Sequence, residues 1–280
     1  MARTATKHRS RYRSPKHFFG HLATKIRKRL GLRHSLAELD PDLANRPIVF
    51  EAPELTPPLI EAISLISPQF RLRQDEWSRN FWQLNQNAGC WGEFDALAPV
   101  LQSMPRPTRV LDIGPGMGRS AAFFKKQLDW RDVPFHLYDG DGSSTRYTIA
   151  GPRFEDSFCG DLDALRLVLE HNGIEAFEIF DAHQPENALV KLPGPYDLIY
   201  SFFAVGWHWS IEHFLDDLER LLSPRGVGAF TLHDKAGEVP GAVADHFAHR
   251  IVEFKRTWPR DRWSRFIVLS RDEALLRPLD

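Results

Sequence analysis

The stretch Val110–Ser120, VLDIGPGMGRS, decides the fold. A short apolar run typical of a buried strand leads into a turn with glycine at every second position: Gly114, Gly116 and Gly118. A glycine-rich turn between a strand and a helix suits a bound nucleotide-like group, because a backbone without Cβ atoms allows close approach. The dinucleotide pattern G-x-G-x-x-G needs its third glycine at position 119, where this chain has Arg119. The turn therefore departs from the dinucleotide pattern by one residue.

Downstream of this turn, short apolar runs alternate with amphipathic segments, which is typical of a parallel sheet covered on both faces. The connection RTWPRDRWS has no helical periodicity and predicts a hairpin, so we expect the last strand to be antiparallel. The clearest helix follows the fourth strand, with Ser210 as its N-cap. The fold class is thus α/β, a seven-stranded Rossmann-like sheet with an N-terminal helical extension. The predicted strands are Val110–Ile113, Phe135–Tyr138, Phe177–Phe180, Leu198–Ser201, Val227–Leu232, Ile251–Phe254 and Phe266–Leu269.

Two segments precede this sheet. Prolines are frequent from Asp40 to Pro68, which predicts an extended linker. Helical spacing of aromatic residues then predicts one helix, a break at Gly89 and a second helix near Phe94–Met104. We therefore divide the chain into a basic arm (1–40), a linker and helical cover (41–105), and the α/β domain (106–280).

The basic arm contains no Asp or Glu from Met1 to Ala37. Phe18, Leu22, Ile26 and Leu30 recur every four residues, which is a basic amphipathic pattern. Four interpretations stay open: a disordered tail, a helix on an anionic membrane surface, a nucleic-acid-binding arm, or a mitochondrial transit peptide. A secretory signal does not fit, because no apolar region follows the basic residues.

Composition narrows the class of protein further. The chain has 280 residues, 42% of them hydrophobic, and a formal net charge of -1, so an acidic balance follows the basic arm. Its two cysteines, Cys90 and Cys159, match no disulfide or zinc spacing, which favours a reducing, cytoplasmic location. The most apolar window, Leu198–Ile211, is shorter than the roughly 20 residues of a membrane-spanning helix.

With Asp112 included, the turn reads Asp-x-Gly-x-Gly-x-Gly and resembles motif I of class I S-adenosylmethionine-dependent methyltransferases. The resemblance implies S-adenosylmethionine as the cofactor, with its methionine portion against Gly114, Gly116 and Gly118. Asp112 suits the cofactor's ammonium group. The free N–H groups at the start of the following helix suit its carboxylate.

Acidic residues follow the next two strands in the order that this family uses. Asp139 stands 21 residues after Gly118, where an acid accepts hydrogen bonds from ribose hydroxyls. Asp181 ends the third strand, where the family commonly binds the adenine amine. The fourth strand leads into SFFAVGWHW, similar to motif IV, and we assign Ser201 to the cofactor site as well. Asp141 is an alternative to Asp139, and either acid is also compatible with a plain turn.

Methylation of a hydroxyl needs a proton acceptor near the loop after the fourth strand. His208 is our first choice, because imidazole titrates near neutral pH, and a merely structural hydrogen bond is its alternative. His213 is the second catalytic candidate, and the pair His233 and Asp234 is a further alternative. The connection 140–160 is about twice as long as a plain α/β loop and suits a substrate lid, with a solvated surface loop as the alternative. The residues expected around the acceptor are Trp91, Glu93, Trp207 and Tyr147.

The acceptor class is narrowed by two family signatures. The Asn/Asp-Pro-Pro-aromatic signature of methyltransferases acting on amines is absent from SFFA, which disfavours nucleic-acid amines. A metal is not expected, since only Asp234 is well placed as a ligand. The segment from Gly194 to Leu218 is similar to bacterial proteins called sugar O-methyltransferases. This resemblance implies O-methylation of a sugar, glycan precursor or other small hydroxylated acceptor. The alternatives are an RNA-associated methyltransferase that uses the arm, and a non-catalytic partner subunit.

Overall fold

The structure, a computed structural model, describes residues 39–67, 70–140, 160–206, 209–232, 241–255 and 263–277. The described residues all belong to one compact unit within residues 36–280. The arm, with its predicted membrane and nucleic-acid contacts, therefore lies almost wholly outside the described residues.

All seven predicted strands are present in a single sheet, in the order β3-β2-β1-β4-β5-β7-β6. Strand β7 runs antiparallel to both of its neighbours, β5 and β6, while the other pairings are parallel. The predicted hairpin and antiparallel last strand are thus confirmed. The strands are β1 (Val110–Ile113), β2 (Phe135–Asp139), β3 (Phe177–Asp181), β4 (Tyr196–Ser201), β5 (Leu222–Leu232), β6 (Ala248–Lys255) and β7 (Trp263–Ser270).

Helices cover both faces of the sheet. The described α-helices are α1 (Pro41–Ala44), α2 (Pro57–Ile66), α3 (Glu76–Ser103), α4 (Arg119–Gln127), α5 (Leu162–His171), α6 (Leu215–Leu221) and α7 (Gly241–His246). Between β3 and β4, where every residue is described, only the 3-10 turns Pro185–Asn187 and Leu189–Lys191 occur. Two more 3-10 turns, Ile211–Phe214 and Glu273–Leu276, precede α6 and follow β7.

Alternation along the strands divides the buried side chains into two cores. In β4, Leu198 and Tyr200 face the core shared with α3, α4 and α5, whereas Ile199 faces the core shared with α6 and α7. This alternation follows from the period of two in a strand. The N-terminal helices belong to the first core, so they are an integral part of the domain.

The proline-rich segment is not wholly extended, which corrects the predicted linker. Helices α1 and α2 begin at Pro41 and Pro57. Proline is favourable at the first helical position, because its fixed φ suits a helix and the N–H it lacks would have no intrahelical partner. Between these helices, the side-chain amides of Asn87 and Asn172 bond to the backbone of Phe50 and Glu51 at 2.6–2.9 Å.

The predicted break at Gly89 is wrong, because α3 is continuous over 28 residues and even includes Pro99. A helical glycine costs only about 1 kcal/mol, and buried residues along α3 offset such a cost. Gly92 has a packing reason, since a Cβ there would lie 2.5 Å from the carbonyl oxygen of Lys255 at the end of β6.

Within the described residues, no helix is both long and apolar enough to cross a membrane.

Candidate functional site

The glycine turn between β1 and α4 has the backbone that its sequence requires. Gly114, Gly116 and Gly118 have φ angles of 72°, 56° and 69°, in the left-handed region that favours glycine. Gly118 is also the N-cap residue of α4. The backbone N–H groups of the first turn of α4 therefore begin directly after the turn, which is the geometry of an anion site.

Close packing adds a second reason for two of these glycines. A Cβ on Gly114 would lie 2.5 Å from the Cβ of Ala204, which belongs to the loop after β4. A Cβ on Gly118 would lie 2.7 Å from Leu165 of α5. Gly116 is less crowded, with Ile66 of α2 at 3.5 Å. The turn is thus enclosed by α2, α5 and the loop after β4.

Asp112, two residues before the turn, is a buried carboxyl group with an exposure of 1%. The Ser120 hydroxyl donates to its Oδ2 at 3.4 Å, and the Tyr200 hydroxyl interacts with it. Burial raises the pKa of Asp112 to about 8, and the neighbouring Tyr200 hydroxyl offsets this only in part. A carboxyl group in this state is suited to a cationic ligand, whose charge would replace the lost hydration of the carboxylate.

Asp139 and Asp181 are the last residues of β2 and β3, and they stand opposite each other in the register of these two parallel strands. Asp139 is buried and accepts the N–H groups of Gly116 at 3.2 Å and Gly140 at 2.9 Å. Burial raises its pKa to about 7. The Asp181 carboxylate accepts the N–H of His183 at 2.9 Å. The structure therefore brings the two predicted acids together, with Asp139 beside the glycine turn.

The Ser201 side chain forms hydrogen bonds that hold the loop after β4. Its hydroxyl donates to the Ile113 carbonyl at 2.6 Å and accepts the Val205 N–H at 2.9 Å, and it is fully buried. These bonds join the end of β4 to the end of β1. Its direct contact with a cofactor therefore stays a prediction, whereas its role in shaping the loop is observed.

Glu93 forms a buried ion pair with Arg119, the first residue of α4. The guanidinium also bonds to Sγ of Cys90 at 3.2 Å. Burial disfavours the charge of Arg119, but the Glu93 carboxylate outweighs this and holds its pKa above the ordinary value. Sequence reasoning placed Glu93 near the acceptor and missed this pairing. A carboxylate on α3 and a cation one residue after Gly118 carry no local signal that links them.

Trp91 is buried in the core, with an exposure of 5%, and its contact with an acceptor stays a prediction. Its indole N–H donates to the Pro47 carbonyl at 2.9 Å, and the Arg46 guanidinium lies 4.0 Å from the ring centroid. Phe123 packs edge-on at 4.9 Å. The indole has only one polar group, and that group is already bonded.

The catalytic candidates are only partly covered by the structure. His213 is exposed in the 3-10 turn before α6. The remaining candidates lie outside the described residues: Asp141, Tyr147, Trp207, His208, His233 and Asp234. No cluster of three or more potential metal ligands occurs in the ranges that the structure describes.

The residues present fit the cofactor that the motif implies. The glycine turn lies beside a helix N-terminus, and Asp112 and Asp139 are buried carboxyl groups on neighbouring strands. An amino-acid end with one ammonium and one carboxylate matches this arrangement in charge. A ribose diol matches the acceptor oxygens of Asp139.

No protein-family profile matches the chain, and no curated protein sequence matches it either. Solved structures do resemble it. Precorrin-6y C5,15-methyltransferase from Geobacter metallireducens is 16% identical, with a TM-score of 0.42, over 64% of this chain and 88% of that one. An O-methyltransferase family protein from Burkholderia thailandensis is 13% identical, with a TM-score of 0.42, over 91% and 70%. Spermidine synthase from Thermotoga maritima is 16% identical, with a TM-score of 0.45, over 68% and 62%.

The sheet itself settles the architecture. Its seven strands, one antiparallel strand and glycine turn after β1 are those that the motif resemblance implied. Ligands of open α/β sheets bind at the carboxyl ends of the strands, and the predicted acids lie there. The chain therefore has the fold of the class I S-adenosylmethionine-dependent methyltransferases.

Proposed function

We propose that the protein is an S-adenosylmethionine-dependent methyltransferase that methylates a hydroxyl group of a sugar, glycan precursor or other small acceptor. The observation that carries the proposal is the glycine turn with its two buried carboxyl groups, Asp112 and Asp139. Burial of two carboxyl groups beside one turn costs the fold stability, and a bound cationic ligand with a diol would offset this cost.

The chain's own residues would divide the work of binding. Asp112 would hold the ammonium group, and the N–H groups at the start of α4 would receive the carboxylate. Asp139 would accept the ribose hydroxyls, and Asp181 would approach the adenine amine. The cofactor supplies an electrophilic methyl group on a sulfonium, so the protein's remaining tasks are to orient an acceptor and remove its proton.

His208 is the base that we propose, because its loop begins at the end of β4 and packs on the glycine turn through Ala204. General-base removal typically lowers rates by about 10²–10⁴. We expect His208→Ala to lower kcat by at least about a hundredfold while leaving cofactor affinity within twofold. His171→Ala, at the exposed end of α5, is the matched control. Equal kcat values for the two variants would remove His208 from the mechanism.

The assay measures S-adenosylhomocysteine formed from S-adenosylmethionine in the presence of methyl glycosides of common hexoses. We expect turnover that depends on the glycoside and is lost in Asp139→Asn. Glycoside-independent background alone, from a protein that binds the cofactor, would contradict the proposed acceptor class. The alternatives then favoured are RNA methylation, recognised by a steep salt dependence of RNA affinity, and a non-catalytic subunit.

A further inference from the structure

A phenylalanine follows β4 in a backbone conformation that this residue type avoids. Phe203 has φ of 69°, and among the described residues the only other non-glycine residue with positive φ is Asp129. Aspartate tolerates this region, whereas a bulky side chain there is an outlier. Such strain persists only where the surroundings impose it, and it is concentrated at ligand sites.

The surroundings of Phe203 do impose this conformation. Its N–H donates to Oγ1 of Thr231, near the end of β5, at 3.3 Å. The next residue, Ala204, packs on Gly114 of the glycine turn. Because β4, β5 and β6 are parallel to one another, their carboxyl ends lie at one edge. Phe203 thus stands between the glycine turn and the ends of β5 and β6.

Aromatic rings line the edge on the far side of Phe203. Its ring lies edge-on to Phe254 of β6 at a centroid distance of 6.4 Å, and Phe254 stacks on Phe266 of β7 at 4.2 Å. Trp263, at the start of β7, is 60% exposed. The ring of Phe203 is itself half-buried, so part of it remains accessible. Phe254 and Phe266 are buried and support this edge from below, whereas Phe203 and Trp263 are the described rings with surface that a ligand could contact.

We infer that Phe203 positions the methyl acceptor, by packing its ring against the C–H face of a hexopyranose. This inference rests on the proposed function. A flat ring orients a sugar without competing for its hydroxyl groups, which leaves the reacting hydroxyl free to face the donor. The strained conformation holds Phe203 directly before Ala204, which packs on Gly114 of the glycine turn.

The test uses methyl β-glycosides of glucose, galactose and mannose, and saturation-transfer NMR with saturating S-adenosylhomocysteine. We expect wild type and Phe203→Tyr to bind at least one glycoside, and Phe203→Ala and Phe203→Gly to bind it at least tenfold more weakly. S-adenosylhomocysteine affinity stays within twofold in all four proteins. Phe203→Gly should melt about 2–4 °C above Phe203→Ala, because glycine adopts positive φ without strain.

Three results would overturn the inference. The first is that Phe203→Ala binds the glycoside as tightly as wild type. The second is that wild type binds S-adenosylhomocysteine but no glycoside. The third is that Phe203→Ala loses S-adenosylhomocysteine binding, which would mark a merely structural role for Phe203. A folded wild type that binds no S-adenosylhomocysteine would instead refute the proposed function, and the inference with it.

Discussion

The carboxyl edge of the sheet has two halves of different chemistry. The half at β1, β2 and β3 carries the glycine turn and three acids, Asp112, Asp139 and Asp181. The half at β4, β5, β6 and β7 is aromatic. Phe203, in the loop after β4, contacts Phe254 of β6, and Phe254 stacks on Phe266 of β7. We call these the acidic half and the aromatic half.

This difference indicates a division of labour within one site. The acidic half suits a polar, partly cationic ligand with a diol, and its geometry depends on exact backbone approach at the glycines. The aromatic half suits an apolar ring face, and its geometry depends on a strained loop. Changes in the acidic half should therefore alter cofactor affinity, whereas changes in the aromatic half should spare it.

The largest loss of folding stability is expected from a change at the contact between α3 and the acidic half. Glu93→Gln breaks the buried ion pair with Arg119 and leaves a buried cation without its partner carboxylate, which costs about 3–5 kcal/mol of stability. Asp95→Asn on the same helix is the control, because its pair with Arg46 is exposed and contributes about 0–1 kcal/mol. Chemical denaturation measures both. Equal losses would show that the Glu93 pair does not support the turn.

Alanine substitutions at two glycines with positive φ separate the cost of backbone strain from the cost of a steric clash. Gly114→Ala combines positive φ with a Cβ 2.5 Å from Ala204, for a cost of about 2–4 kcal/mol and loss of cofactor binding. Gly173→Ala has positive φ but no atom within 4 Å, so it should cost only about 1–2 kcal/mol. Equal unfolding free energies for the two variants would contradict the close approach at Gly114.

The affinity of the acidic half for the cofactor should depend on pH. Burial raises the pKa values of Asp112 and Asp139 to about 8 and about 7, so the free protein holds protons that an ammonium ligand must displace. Affinity for S-adenosylmethionine should fall by up to about tenfold per pH unit between pH 8 and 6. Calorimetry in buffers of different ionisation enthalpy should detect proton release. A profile identical to that of Asp112→Asn would contradict this assignment.

The same acids make the stability of the ligand-free protein depend on pH in the opposite sense. Their folded pKa values lie above the ordinary value of 3.8, so the folded state binds more protons than the unfolded state. Their contribution to stability is therefore present below about pH 4 and is lost as pH rises towards 8. Asp112→Asn should flatten this dependence in denaturation measurements.

The smallest effect is expected in the aromatic half. Thr231→Val removes the acceptor of the Phe203 N–H and should cost about 1 kcal/mol. Cofactor affinity should not change, because the Thr231 hydroxyl bonds to the Phe203 N–H and not to the glycine turn or to Asp112 or Asp139. A cofactor affinity reduced more than threefold would show that the two halves are not independent.

Sequence reasoning predicted the strands and the glycine turn because both depend on local patterns. It placed Asp139 and Asp181 at neighbouring strand ends, and the register pairs them directly. It failed where tertiary contacts decide. Gly89 suggested a break, yet α3 runs through it because its buried face is continuous with the core.

Other site features had no signal in the sequence. The contacts of Trp91 with Pro47 and Arg46, which are distant along the chain, could not be read from local sequence patterns. The positive φ of Phe203 depends on Thr231, 28 residues away, so no local pattern marks it.

The central claim is that the acidic half binds S-adenosylmethionine, and calorimetry of the purified protein tests it most directly. Asp112→Asn and Asp139→Asn are compared with Glu170→Gln, which alters an exposed acid on α5. We predict saturable binding by wild type and Glu170→Gln, and binding at least tenfold weaker in each aspartate variant. Absence of binding by a folded wild type, or equal binding by all four proteins, would contradict the account.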